Sequence, residues 1–345
     1  MSNHFGVGIV GAGVIGNVHA DALAGVTNAK LLAIAEPRED AGKALAAKHG
    51  VPWFASYEEL LAQPDIDLVI LGTPSGMHPE QAVLAAEHGK HVITEKPMAI
   101  THEGATRMIE AAQRAGVHLA VIFQNRLSKD VFLVRRGIEA GLLGKPLLGQ
   151  GYLHWHRTQE YYDANGGWRG TWALDGGGAL MNQTIHTIDQ LQWLMGGVAA
   201  VQAMTATLTH DIETEDTAAA SLAFHNGALG ALTATTSTDK DRPVHIEIVG
   251  ERGKAVLDGN ALASWEGNSD LSDDLLTPED LELVAGWKAD EAFGGAHRRQ
   301  QQAIFNALAR GTTPPFPGVE ARKAVDLILG IYESARTGQR VDILS

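Results

Sequence analysis

The chain has 345 residues, 45% hydrophobic and 20% charged, enough for two ordinary globular domains with a sizeable core. Its formal charge of −14 argues against general affinity for nucleic acid or anionic membranes. The absence of cysteine excludes disulfides, thiolate nucleophiles and cysteine-based zinc sites.

A first strand read from Phe5 leaves no room for a secretory leader, and no apolar run is long enough to span a bilayer, so a soluble cytoplasmic protein is expected. Residues 1–123 alternate short apolar runs with helical patterns. Strands are read at 5–10, 30–35, 67–72, 91–97 and 117–123, with helices between them. Ser56 and Glu59 form a capping-box pattern, and Pro79 suits the first turn of a helix. Near-continuous apolar strands alternating with helices predict a doubly wound parallel sheet, a Rossmann-type α/β domain over 1–123.

From 124 the texture changes. A helix near 130–140, a long strand at 147–157 and a helix after the glycines at 176–178 precede β-runs in quick succession. Asn226-Gly227 is a hairpin signal. These runs predict a second α/β domain over 124–345 with a large, open, mostly antiparallel sheet. Residues 266–294 read as a variable loop, and two helices at 297–310 and 319–337 close the chain. The last of them is expected to pack back on the first domain.

Strand one runs into Gly11-Ala12-Gly13-Val14-Ile15-Gly16. After a strand and before a helix, this pattern cradles a pyrophosphate: one glycine for the turn, one for close backbone approach, one for helix packing. Gly11, Gly13, Val14, Ile15 and Gly16 are therefore cofactor-binding candidates. Glu36, twenty residues beyond Gly16, is placed to accept from the adenosine ribose hydroxyls, which favours NAD. Arg38 offers a 2′-phosphate a partner, so NADP stays open. FAD, another nucleotide or a ligand-free turn are the alternatives.

Glu95-Lys96-Pro97 ends a predicted parallel strand, at the sheet edge where open α/β folds bind ligands. In the stretch GGGALMNQTIHTIDQLQWL (176–194), Met181, Ile185 and Ile188 form an apolar stripe, with Asn182, His186 and Asp189 beside it. Asn182 four residues before His186 reads as a base with an orienting partner, since imidazole titrates near neutral pH. The wet side of an amphipathic helix is the alternative. His154 and His156 share a strand face, but no third ligand has a clear claim, so no metal is expected.

The motifs GAGVIG, TPSGMH (73–78), EKP, WRGTW (168–172), GGGALMNQTIHTID and PGVEARKAVDLILGIYESARTG (317–338) occur in this order over nearly the whole chain. In this respect the sequence resembles the Gfo/Idh/MocA family of NAD(P)-dependent sugar and inositol oxidoreductases. The resemblance implies a Rossmann domain followed by an open-sheet α/β domain. It implies His186 as general base and Lys96 as its partner on the substrate hydroxyl. It implies that Thr73, Pro74 and His78 line the dinucleotide path, that Glu95 and Gln124 contact the nicotinamide ribose, and that Trp168 and Arg169 reach the nicotinamide end. Many relatives carry aspartate where this chain has Asn182. Asparagine orients an imidazole without stabilising its charge, and Asp189 is the nearest candidate to supply it.

Arg126, Arg157, Tyr161 and Tyr162 join Asn182 and His186 as substrate candidates, because arginine suits carboxylate or phosphate and aromatic faces suit sugar rings. The expected reaction is hydride transfer between nicotinamide and a ring hydroxyl of a sugar, sugar acid or nucleotide-linked sugar. Inositol dehydrogenation and a non-catalytic NAD-binding sensor are the rivals. Small and apolar residues on both alternating faces of AAASLAFHNGALGALTATTST predict a homodimer or homotetramer through the open sheet.

Overall fold

The computed structural model describes residues 4–288 and 294–343. Strand β1 (Phe5–Val10) passes through the glycine loop into α1 (Val14–Leu23), followed by β2 (Ala29–Ala35), α2 (Glu39–His49), β3 (Trp53–Phe54) and α3 (Tyr57–Leu61). Then come β4 (Leu68–Leu71), α4 (His78–Glu87), β5 (His91–Thr94), α5 (His102–Ala115) and β6 (Leu119–Val121). The six strands are all parallel, in the order β3-β2-β1-β4-β5-β6. This is the dinucleotide-binding order, whose direction reverses beside β1. All four residues of β4 are buried, as a sheet covered on both faces requires. Ser56 and Thr101 accept backbone N–H groups at the starts of α3 and α5, and left-handed Gly50 and Gly116 close α2 and α5. Strand β3, two residues long, is too short for periodicity to reveal.

The chain continues with α6 (Lys129–Glu139), β7 (Pro146–His154), α7 (Gln159–Gly167), a π-helical turn over Ala179–Thr184, and α8 (Ile185–Met195). Strands β8 (Val198–Ala206), β9 (Thr217–Phe224), β10 (Leu229–Thr235), β11 (His245–Gly250), β12 (Gly253–Asp258) and β13 (Ala261–Glu266) follow. They are succeeded by α9 (Pro278–Leu283), α10 (Gly295–Ala309), α11 (Gly318–Thr337) and β14 (Val341–Asp342). The second sheet has eight strands in the order β13-β12-β11-β7-β10-β9-β8-β14. Its pairs are antiparallel except β7 with β10, which is parallel. The long connection between those two strands, which includes α8, gives the crossover that a parallel pair needs.

Two compact units result: Met1–Gln124 with Asp290–Ala321, and Asn125–Ala289 with Arg322–Ser345. A second domain running unbroken over 124–345 is therefore corrected. The helix that returns to the nucleotide unit is α10, not the last one. Its Ile304, Phe305 and Leu308 join Val7, Ile9 and Ile34 in one core, while Gln300 accepts the Phe123 N–H at 3.0 Å and donates to the Val121 carbonyl at 2.7 Å. Helix α11 belongs to the sheet unit from Arg322 onward. Of the expected loop at 266–294, residues 289–293 lie outside the described residues. Earlier in it, Thr277 and Asp280 form a reciprocal cap that starts α9.

Candidate active site

In the nucleotide unit the three glycines of the first loop do different things. Gly11 has φ +98°, and a Cβ there would lie 2.8 Å from the Gly72 carbonyl oxygen. A Cβ on Gly16 would lie 2.0 Å from the Gly11 oxygen, so this glycine lets α1 close on the loop. A Cβ on Gly13 would meet nothing within 4 Å, and no side chain caps the helix it precedes. That is room for an anion at an uncapped helix N-terminus, where backbone N–H groups and the dipole favour phosphate. Val14 is exposed and Ile15 half-buried at this entrance.

Glu36 follows β2. Its carboxylate accepts the Ala12 N–H at 2.7 Å, the Arg38 N–H at 3.1 Å and the Arg38 guanidinium at 2.8 and 3.1 Å. Burial pushes its pKa up, but the hydrogen bonds from Arg38 and Ala12 outweigh this and leave it lowered. Negative charge thus stands at the end of β2, with Arg38 paired to it. Gln124, in the turn after β6, has a buried side-chain oxygen with no hydrogen-bond partner among the described residues. The open cradle at Gly13, the ionised Glu36 and this unmet acceptor fit an NAD molecule.

Thr73 donates to Gln81 at 2.5 Å and, with Pro74, leads into a tight turn over Ser75–Met77. His78, expected to line the dinucleotide path, is buried, with Nδ1 2.9 Å from the Pro97 oxygen and Nε2 3.0 Å from the Thr73 oxygen. It ties the Thr73 turn to the Lys96-Pro97 turn. Glu95, expected at the nicotinamide ribose, is also buried. One oxygen lies 2.9 Å from His19 Nε2 and 3.6 Å from His297 Nε2, and the other accepts the Lys96 N–H at 3.2 Å. Gln301 Nε2 donates to His19 Nδ1 at 2.9 Å, which assigns the His19 proton to Nε2, facing Glu95. Burial pushes Glu95 up, but its bonds to His19 and His297 hold it well below the usual carboxylate range. Glu95 therefore anchors the turn that carries Lys96. Sequence reasoning missed His19 and Gln301, whose link spans 282 positions.

In the sheet unit the predicted helical stripe is interrupted. Residues Ala179–Thr184 form the π-helical turn and the α-helix begins at Ile185, so Asn182 and His186 stand on either side of the junction. Such wide turns recur at functional sites. The preceding glycines admit the chain's own groups: a Cβ on Gly177 would lie 2.0 Å from the Tyr332 hydroxyl, and one on Gly178 1.9 Å from the Glu215 carbonyl oxygen. Glu215, which sequence reasoning missed, caps this turn. Its carboxylate accepts the Leu180 N–H at 2.8 Å, the Gly178 N–H at 3.1 Å and the Tyr332 hydroxyl at 3.0 Å. Burial pushes its pKa up to about 7 despite these donors.

Three expectations are corrected here. Asp189 is buried and bound by both arms of Arg126 at 2.5 Å, so its charge is compensated locally rather than lent to His186. Arg126, expected at the substrate, is itself 2% exposed and stacks over Trp193 at 5.1 Å. Tyr162, also expected there, is a core residue whose hydroxyl meets Thr236 at 2.8 Å.

The remaining candidates converge. Asn182 donates to Asp175 at 2.6 Å, and Gln183 donates to Asn182 at 3.1 Å and to the Tyr161 hydroxyl at 2.6 Å. Arg157 donates to Gln183 at 3.3 Å. The guanidiniums of Arg157 and Arg169 lie 5.4 and 4.6 Å from the Tyr161 ring, with Trp155 stacked on the first and Trp168 on the second. Arg157 pairs loosely with exposed Asp241 at 3.3 Å, and no carboxylate among the described residues pairs with half-buried Arg169. No cluster of metal-ligating side chains occurs among the described residues, and no described helix is long and apolar enough to cross a membrane.

Comparison with known proteins accounts for both units. Residues 5–123 match the model of the oxidoreductase family with an NAD-binding Rossmann fold, and residues 132–256 match the GFO/IDH/MocA C-terminal domain. The crystal structure of the WlbA dehydrogenase from Bordetella pertussis, in complex with NADH and UDP-GlcNAcA, is 36% identical. It superposes with a TM-score of 0.91, covering 100% of this chain and 99% of that one. The D-glucoside 3-dehydrogenase of Escherichia coli (strain K12) is 27% identical over 98% of this chain and 97% of its own. The scyllo-inositol 2-dehydrogenase (NAD(+)) of Bacillus subtilis (strain 168) is 24% identical over 99% and 97%. The chain belongs to the GFO/IDH/MocA family of oxidoreductases, with an NAD-binding Rossmann domain.

Proposed function

We propose that this protein is an NAD-dependent dehydrogenase acting on a ring hydroxyl of a UDP-linked sugar acid, UDP-GlcNAcA or a close analogue. The observation that carries the acid is the pair of guanidiniums on Tyr161, one of them without a carboxylate partner among the described residues. Arginine forks recognise a carboxylate or phosphate, and the flanking indoles suit sugar and base faces. The similarity to WlbA, crystallised with UDP-GlcNAcA, supports the same reading. His186 removes the hydroxyl proton, and Lys96 hydrogen-bonds the oxygen and stabilises its developing negative charge. Bound NAD supplies the acceptor for the hydride that leaves the same carbon. Asn182, expected to orient His186, instead donates to Asp175 and accepts from Gln183, and Glu95 holds the backbone of Lys96.

The test is NADH formation by purified protein with UDP-GlcNAcA, UDP-GlcNAc, D-glucosides and inositols, each with NAD and with NADP. Turnover highest with UDP-GlcNAcA and NAD supports the proposal. Preference for an inositol, as in the Bacillus subtilis relative, would overturn the substrate, and tight NAD binding with no turnover would identify a sensor.

We further propose that a second copy of this chain covers the open face of the eight-stranded sheet. Register places Leu148 beside Leu229, Ala231 beside Ser221, and Thr233, Ala219 and Met204 in one row. Met204 is 75% exposed and Leu229 62%. An apolar sheet face of this kind favours association. Light scattering should give a multiple of 36.7 kDa that falls on Met204→Glu with Leu229→Glu.

A further inference from the structure

We infer that Glu215, with Tyr332, is a positioning residue for the reaction, holding the π-helical turn so that the helix after it presents His186 at a fixed height and angle. The inference rests on the proposed role of His186. Gly178, Ala179 and Leu180 open the turn, and their backbone N–H groups all end on one residue. The Glu215 carboxylate accepts the Gly178 N–H at 3.1 Å and the Leu180 N–H at 2.8 Å, and the Glu215 backbone carbonyl accepts the Ala179 N–H between them at 2.9 Å. The Tyr332 hydroxyl, from α11, donates at 3.0 Å to the carboxylate oxygen that Leu180 uses. The first N–H groups of a helix have no partner within it, so the group that receives them fixes where the helix starts.

The receiver is itself anchored. Asp216, the next residue, donates its N–H to the Ala206 carbonyl at 3.1 Å and accepts the Thr236 N–H at 2.9 Å, which ties Glu215 to the sheet at the ends of β8 and β10. Side chains at 177 and 178 would collide with the Tyr332 hydroxyl and the Glu215 carbonyl, so the glycines are what admit this contact. On the other side of the turn, His186 is the second residue of α8, whose Ile185, Ile188 and Leu191 are buried. A π-helical turn closes to the fifth residue rather than the fourth, and each helical residue advances the chain by about 100° and 1.5 Å. A slip of the turn into α geometry would therefore displace the groups before and after it by about that much relative to each other. Misplacing a reacting group by about 1 Å costs about 100-fold in rate. The clamp thus has a catalytic consequence although Glu215 touches neither substrate nor base.

The test uses the full chain with Glu215→Gln and Tyr332→Phe, assayed above the Glu215 value of about 7, where the carboxylate is ionised. Glutamine keeps the shape but turns an amide donor toward one of the two backbone N–H groups, and phenylalanine removes only the hydroxyl. Glu215→Gln should lower kcat about 100-fold with KM for UDP-GlcNAcA and the NAD dissociation constant within about twofold. Tyr332→Phe should lower kcat about threefold in the same pattern. In both, the imidazole NMR signal of His186, assigned with His186→Gln, should move. A folded Glu215→Gln variant with a lower Tm but kcat close to wild type would make the residue structural only and overturn the inference. So would a loss of kcat matched by an equal loss of NAD affinity. Should the wild type turn over none of the sugars tried, the proposed function fails, and the NMR signal then reads the inference alone: a His186 signal unmoved by both substitutions rejects it, and a displaced one upholds the clamp. If Glu215→Gln does not fold, Tyr332→Phe supplies both readings.

Discussion

Two buried carboxylates of the nucleotide unit and one of the sheet unit are held in opposite ways. In the nucleotide unit, Glu36 lies against Arg38, and Glu95 against His19 and His297, and both are held below the ordinary carboxylate range. In the sheet unit, Glu215 has three donors, two backbone N–H groups and a phenol, all of them neutral, and burial lifts it to about 7. The number of hydrogen bonds is similar. The contrast is clearest between Glu36, whose Arg38 partner carries a full positive charge, and Glu215, whose donors are all neutral. Glu36 and Glu95 thus stay ionised, while Glu215, which holds the π-helical turn, is lifted toward neutrality.

The largest effect that would break this comparison is on turnover. His186→Ala should lower kcat about 1,000-fold while the NAD dissociation constant stays within about twofold, by stopped-flow and fluorescence titration. A collapse of NAD binding would show that the histidine serves the nucleotide unit structurally. Glu36→Ala should weaken NAD about tenfold and NADP less, since a charge-assisted bond to the ribose is lost only for NAD. Equal losses would remove Glu36 from the ribose. Arg169→Ala should raise KM for UDP-GlcNAcA about tenfold, leaving NAD affinity in place.

The smallest effect is on stability against pH, and it has opposite signs for Glu36 and Glu95 on one side and Glu215 on the other. Glu36 and Glu95 are lowered on folding, so their contribution is present above the ordinary carboxylate range and is lost as pH falls through their folded values. Glu215 is raised from 4.5 to about 7, so its contribution is present below 4.5 and is lost as pH rises through about 7. Glu215→Gln should flatten the upper part of the Tm profile by about 3 °C. An unchanged slope between pH 5 and about 7 would show that Glu215 is not the group that titrates.

The nucleotide unit was legible because its signals are local. The glycine pattern, the Ser56 cap and the all-apolar β4 each act within a few residues of one another, and the residues near Gly11 and Glu36 occur where spacing expects them. The sheet unit was legible in outline only. A period of 3.6 cannot announce a π-helical turn, so the stripe of Asn182, His186 and Asp189 looked continuous. Nothing local marks Asp189 as the partner of Arg126, 63 positions earlier, or Tyr332 as that of Glu215, 117 positions earlier.

By itself the sequence determined the parallel-sheet architecture and pointed to the glycine loop and the candidate reacting side chains, since periodicity, glycine spacing and residue chemistry are written along the chain. Only the tertiary structure decided which polar groups are left to act. Arg126, Tyr162, His78, Glu95 and Asp189 are consumed by buried partners, whereas Arg169 is not paired with any carboxylate among the described residues. The physical reason is that pairing depends on which distant segments burial brings within hydrogen-bond reach.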